Sequence, residues 1–173
     1  MWYYNFNMQI MYLMFKPQHS AALFIMPGFV RICKDGCKRK GGGVCVFAKN
    51  VYKISKTAVL YVIDYTEDLW IDIISVDGLH INACVCCYPP KPLYDTRIFI
   101  HQLVLNCEHF LAINSDYVYI LTSDLHQLDN TINESQFGFV QLVNSSTHNK
   151  NIIDKFQTTD LIYLISMFTL SRR

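Results

Sequence analysis

The sequence predicts a layered α/β domain built on a mostly mixed or antiparallel sheet. Residues 41–87 hold a succession of β-rich runs with no helical period. Pro89, Pro90 and Pro92 then end that sheet segment. Beyond them, apolar residues recur at helical spacing as far as Leu111, and short β-rich runs follow. Strands first, then helix–strand alternation, is the pattern of a layered fold.

Taken in order, residues 9–15 read as a buried strand that Lys16-Pro17 breaks. Residues 18–26 suit a short helical turn, and Pro27-Gly28 marks a loop. Residues 29–33 are expected to form a short strand. Asp35-Gly36 is a turn that leads into a basic cluster and the triple glycine Gly41-Gly42-Gly43. Residues 44–51 read as a strand, and residues 52–61 are polar enough for an edge strand or a loop. Within residues 69–76, Trp70, Asp72 and Ile74 alternate against Ile71, Ile73 and Ser75, the period of a strand. Asp77-Gly78 is a hairpin signal, and residues 79–87 return as the partner strand. Asp95 or Thr96 can cap a helix that runs to Leu111, with Phe99, Leu103, Cys107, Phe110 and Leu111 on its core face. Residues 117–121 suit a short buried strand, residues 137–143 a helix end or strand, and residues 152–156 a last central strand. No internal repeat or low-complexity tract interrupts the chain.

A chain of 173 residues is one domain by size and can bury a real core. Hydrophobic residues at 51% exclude a disordered chain, whereas charged residues at 17% leave a surface that could lean on a neighbouring domain. A net charge of +1 does not mark a nucleic-acid binder. The basic cluster Lys34, Lys38, Arg39 and Lys40 is either a solvated loop beside a glycine turn or a patch that tracks phosphates. Seven cysteines, an odd number without a secretory signal, suggest a reducing intracellular compartment, nuclear or cytoplasmic. Cys33-x3-Cys37 and Cys84-x-Cys86-Cys87 lack zinc-ribbon spacing, and strand alternation separates Cys87 from Cys84 and Cys86. These thiols are therefore expected to act as small apolar side chains. No segment reads as membrane-spanning: residues 1–15 are interrupted by Asn5, Asn7 and Gln9, and residues 161–170 are too short.

Four motifs occur in a telling order: Lys38-Arg39-Lys40-Gly41-Gly42-Gly43-Val44-Cys45-Val46-Phe47, Tyr88-Pro89-Pro90, Leu121-Thr122-Ser123-Asp124-Leu125-His126 and Asn151-Ile152-Ile153-Asp154. Together they resemble the endonuclease/exonuclease/phosphatase family, and within it the endonuclease domains of non-LTR retrotransposon polyproteins. The resemblance covers residues 11–159 of a single domain, 1–173, and leaves residues 160–173 as a divergent tail. It implies an α/β sandwich with two mixed or antiparallel β-sheets flanked by helices, incomplete at both ends. It also implies phosphodiester cleavage in DNA with Mg2+ or Mn2+, and an adjacent reverse-transcriptase domain in intact relatives.

The resemblance assigns residues one by one. Family members carry a Glu-Thr-Trp-Leu-like motif before Lys-Pro, and its glutamate holds the metal. Alignment on Lys16-Pro17 puts Tyr12 at that glutamate and Met14 at the tryptophan. A neutral phenol cannot supply a hard anionic oxygen at pH 7. The family's Tyr-Arg-Pro-Pro falls on Cys87-Tyr88-Pro89-Pro90, so Tyr88 takes the phosphate-contacting arginine position. It could serve as the tyrosine only through a one-residue bulge. Lys38, Arg39 and Lys40 are further phosphate contacts in this reading. The Gly-Asp-Phe-Asn motif becomes Ser123-Asp124-Leu125-His126, which keeps Asp124 as the catalytic aspartate and metal ligand and puts His126 at the asparagine. Ser146-Thr147-His148 stands at the Pro-Thr-Arg position. Asn151-Ile152-Ile153-Asp154 matches Asn-x-Leu-Asp, whose aspartate, here Asp154, assists the base side of the reaction. The final Ser-Asp-His motif has no counterpart, since residues 160–173 contain no histidine.

These retentions and losses point to a retrotransposon-derived domain with impaired catalysis. A second expectation is an active, divergent Mg2+-dependent phosphodiesterase, with Asp124, Asp154 and His126 on the metal and His126 or His148 as proton carrier. A third is a non-catalytic module that holds nucleic acid through its basic loop and stacked aromatics. No paired metal-ligand histidines or serine-nucleophile motif offer another chemistry, and no motif encodes an oligomeric state.

Overall fold

The β-rich run after Gly43 does not make one sheet, because the chain changes sheets between Lys49 and Lys53. The computed structural model describes residues 10–14, 25–35, 43–63, 66–88, 92, 94–125, 137–141 and 154–159. In it, β1 (Ile10–Met14), β2 (Phe29–Asp35) and β3 (Gly43–Lys49) form a three-stranded antiparallel sheet in the order β1-β3-β2. A tight turn follows β3, with Tyr52 N donating to Lys49 O at 3.0 Å.

The second sheet holds six strands: β4 (Lys53–Lys56), β5 (Glu67–Ile74), β6 (His80–Tyr88), β7 (Val118–Leu125), β8 (Val140–Gln141) and β9 (Asp154–Thr158). Their order is β4-β5-β6-β7-β9-β8. Among the described residues only β6 and β7 run parallel, and α1 (Thr96–Ile113) is the crossover between them. All other pairs are antiparallel. The expected edge strand is β4, and the expected central strand is β9, enclosed by β7 and β8. The β5–β6 hairpin closes at Asp77-Gly78, where Gly78 takes φ +85°, a region that disfavours any side chain.

Period-two alternation sorts the large sheet into two faces. Leu69, Ile71, Ile73, Ile81, Ala83, Val85, Val118 and Ile120 pack with Val44 and Val46 of the small sheet. On the opposite face, Trp70, Cys84, Cys86, Tyr88, Tyr119 and Leu121 pack with Phe99, Leu103, Cys107 and Phe110 of α1. The helical stripe read from the sequence is thus core. Asp95 caps α1 by accepting from Arg97 N at 2.8 Å. At the other end, the Tyr119 hydroxyl donates to Phe110 O at 2.6 Å and lies 2.8 Å from Asn114 O, which satisfies carbonyls that a helix C-terminus leaves open.

Three expectations change. One helix, α1, flanks the sheets among the described residues, where the resemblance implied several. Strand β7 runs to Leu125, beyond the expected end at residue 121, so Asp124 lies within it. Cys33 and Cys45, direct partners across β2 and β3, are joined by a disulfide with a Cα–Cα distance of 4.1 Å. That bond weighs against a reducing compartment. Among the described residues no helix is long and apolar enough to cross a membrane. The helical turn expected within residues 18–26 falls mostly outside the described residues.

Candidate functional site

Strand register assembles a row that no local motif shows. Glu67 of β5 pairs with Cys87 of β6, Cys87 with Asp124 of β7, and Asp124 with Asp154 of β9. Directly paired residues of a pleated sheet share a face. Glu67 and Cys87 continue the Leu69 and Val85 positions by steps of two, so they belong to the face toward the small sheet. The row lies at the carboxyl end of the parallel pair β6–β7, where sheets with such crossovers collect ligands. Glu67 is 6% exposed, and Cys87 is half-buried.

The end of the small sheet is tied to this level. Lys34 of β2 donates to Asp68 Oδ1 at 3.2 Å. Asp68, next to Glu67, also accepts from Thr66 Oγ1 at 2.6 Å, Trp70 Nε1 at 3.1 Å and Gln102 Nε2 at 3.3 Å. A carboxylate so deeply buried is tolerable because a cation and three neutral donors replace its water. The pair borders a cavity of about 120 Å3 that Lys56, Thr57, Val59 and Val62 also line. One residue beyond Lys34, Asp35 pairs with Gly43, which brings together the two ends of the segment bearing Lys38, Arg39 and Lys40.

Tyr88 does not join the row. It is 3% exposed, belongs to the α1 face, and its hydroxyl bonds Thr96 Oγ1. Its ring lies 5.5 Å from Phe99 and 6.0 Å from Tyr94. With β6 regular to its end, Cys87 keeps the row position and no bulge exchanges it for Tyr88. Tyr94 packs near this end, its hydroxyl buried without a hydrogen-bond partner. Burial raises its pKa, and the electrostatic influence of Glu67, Cys86 and Cys87 raises it further. Thr122, 4% exposed and two residues before Asp124, has a buried hydroxyl that is also unpartnered.

Of the residues read from the sequence, Asp124 and Asp154 are brought together, and Tyr12 stands on β1 opposite Val46. His126, His148, Lys38, Arg39 and Lys40 fall outside the described residues. Glu67 is brought beside Cys87 by the β5–β6 register, which no local motif signals. Among the described side chains, no group of three or more His, Cys, Asp or Glu could hold a metal ion. Burial disfavours the thiolate of two cysteines on the α1 face: Cys107 is pushed up to about 12, and Cys84 is raised well above the ordinary thiol range.

No family model matches the chain, and no curated protein matches it. Solved structures do. An endonuclease/exonuclease/phosphatase family protein from Bacteroides thetaiotaomicron superposes with a TM-score of 0.52 at 13% identity, over 78% of this chain and 62% of that one. A D. rerio TDP2 humanized by 14 mutations gives 0.52 at 10% identity, over 76% and 60%. TDP2 from Caenorhabditis elegans gives 0.50 at 12% identity, over 75% and 47%. At such identities the likeness is one of fold: a β-rich α/β architecture similar to that of endonuclease/exonuclease/phosphatase proteins. The chain spans less than two thirds of each of these structures.

Proposed function

We propose that this chain is an endonuclease/exonuclease/phosphatase-like domain derived from a retrotransposon endonuclease, with impaired catalysis. The observation that carries the reading is the pairing of Asp124 with Asp154, while Tyr12 stands where the resemblance requires the metal-binding glutamate. Framework and aspartates persist together; the usual metal carboxylate does not.

Carboxylates are hard oxygen donors that suit Mg2+ or Mn2+, and Asp124 and Asp154 are the ones the resemblance offers to such an ion. Asp124 is the residue proposed to hold the ion. When bound, such an ion polarises a phosphodiester and lowers the pKa of a water. Asp154 would receive a proton on the base side, and Lys38, Arg39 and Lys40 would orient phosphates. Groups that act as a unit lose rate together, so the missing members leave little turnover. Hydrolysis of bis(p-nitrophenyl) phosphate in Mn2+ tests this: the expected rate is the same for the wild type and Asp124→Ala, whereas turnover lost in Asp124→Ala would restore the active-enzyme reading.

A nucleic-acid-binding module is the second reading, favoured by the Asp35–Gly43 pairing that gathers both ends of the basic segment at the level of the row. Replacing Lys38, Arg39 and Lys40 with Ala should then flatten the salt dependence of duplex binding by a log–log slope of about 3. An unchanged slope would remove that reading.

A further inference from the structure

Cys33 and Cys45 are bonded to each other, while Cys84, Cys86, Cys87 and Cys107 are free thiols. The bond weighs against steady reduction, and the free thiols weigh against steady oxidation. A bond that opens and closes satisfies both. We propose that Cys33–Cys45 is a reversible redox switch, closed by a small-molecule disulfide such as oxidised glutathione and opened by the corresponding thiol. Its state sets how firmly the end of β2 is held against the large sheet.

Access decides which sulfur reacts. Cys33 lies on β2, an outer strand of the small sheet, and is half-buried. Cys45, on the central strand β3, is fully buried. An incoming thiolate therefore reaches the Cys33 sulfur first. The Cys33–Cys45 bond breaks, a mixed disulfide forms at Cys33, and Cys45 leaves as a thiolate that takes up a proton. A second thiolate attacks the sulfur of the small molecule in the mixed disulfide. Cys33 leaves as a thiolate and is protonated, and the two small thiols depart as their disulfide. Two electrons have passed to the protein, and closure is the same sequence in reverse. The register keeps closure local: rungs run on both sides of Cys33–Cys45, from Phe29–Lys49 to Asp35–Gly43, so the ladder holds the reduced thiols opposite each other.

The bond matters most at this end of β2 because little else covers it. On the inner face of the small sheet, Val44 and Val46 belong to the main core. On the outer face, the buried cluster among the described side chains is only Cys45 and Phe47, with Met26, Phe29 and Cys33 against them. The residue after Cys33 is Lys34, whose ammonium reaches Asp68 of the large sheet at 3.2 Å. The Lys34 side chain is 28% exposed, so that ion pair alone is a modest restraint. With the disulfide open, the end of an outer strand is held by two ladder rungs and this pair, and local opening becomes easier.

The test equilibrates the full chain in glutathione buffers from fully reduced to fully oxidised, traps free thiols by alkylation and maps the peptides. Cys33 and Cys45 should pass together and reversibly between bond and thiols, while the buried Cys84 and Cys107 stay reduced throughout. Amide hydrogen exchange in β2 should be several-fold faster in the reduced protein, with β5 and β6 unchanged. The double variant Cys33→Ser/Cys45→Ser should show the faster exchange in both buffers; the wild-type titration needs no variant. A bond that survives reduced glutathione in the folded chain would be a fixed structural disulfide and would overturn the proposal. Two thiols that stay unbonded in oxidised glutathione would overturn it as well. Equal β2 exchange in the two states would show that the bond does not govern the hold on β2.

Discussion

Asp124 and Asp154 are direct partners across the antiparallel β7–β9 pair. Like charges set opposite each other in a sheet oppose folding, by roughly 0.2–1 kcal/mol on the scale of cross-strand pairs.

Asp124→Asn should therefore stabilise the metal-free protein, by up to about 1 kcal/mol. Urea unfolding reads this as a higher midpoint at an unchanged slope. If Asp124 holds the ion as proposed, saturating Mn2+ should reverse the ranking. A destabilised Asp124→Asn without metal would mean that the carboxylate serves the fold.

Asp68 carries the opposite expectation. Its carboxylate gathers Lys34, Thr66, Trp70 and Gln102 from β2, β5, the preceding loop and α1. Asp68→Ala leaves buried donors unsatisfied and should cost about 3 kcal/mol. Lys34→Met should cost less, because the lysine side chain is 28% exposed and its charge partly screened. A urea midpoint for Asp68→Ala matching the wild type would show that the network contributes no stability.

The α1 cap gives a pH signature. The Arg97 backbone N–H, and then the Arg97 side chain, hold the Asp95 carboxyl below its ordinary pKa. Its contribution is present above the unfolded value of about 3.9 and is lost as pH falls through the folded one. Asparagine also caps helices well. The melting-temperature gap between wild type and Asp95→Asn should thus be widest near neutral pH and close in acid. A gap independent of pH would assign the effect to the hydrogen bond alone.

Local signals were legible where local physics decides. Asp95 ahead of the Phe99, Leu103, Cys107 and Phe110 stripe marked α1, and Asp77-Gly78 marked the hairpin, because caps and turns depend on neighbouring residues. The break between β3 and β4 was not legible, since antiparallel neighbours and strands of different sheets read alike along a chain. Glu67 escaped for a similar reason: its place beside Cys87, Asp124 and Asp154 follows from registers spanning long sequence separations. The Cys33–Cys45 bond likewise depends on the β2–β3 register. Tyr88 shows the converse, because the motif placed it in the site and period-two alternation turned it toward α1.

The most direct measurement is nicking of supercoiled plasmid by the folded chain, first in Mg2+ and then in Mn2+, with Asp124→Ala beside it and circular dichroism on both. The account predicts no nicking above that of Asp124→Ala in either metal, from a protein with the helix and sheet signals of the fold. Nicking that Asp124→Ala abolishes would contradict it and show that the chemistry outlived the loss at Tyr12.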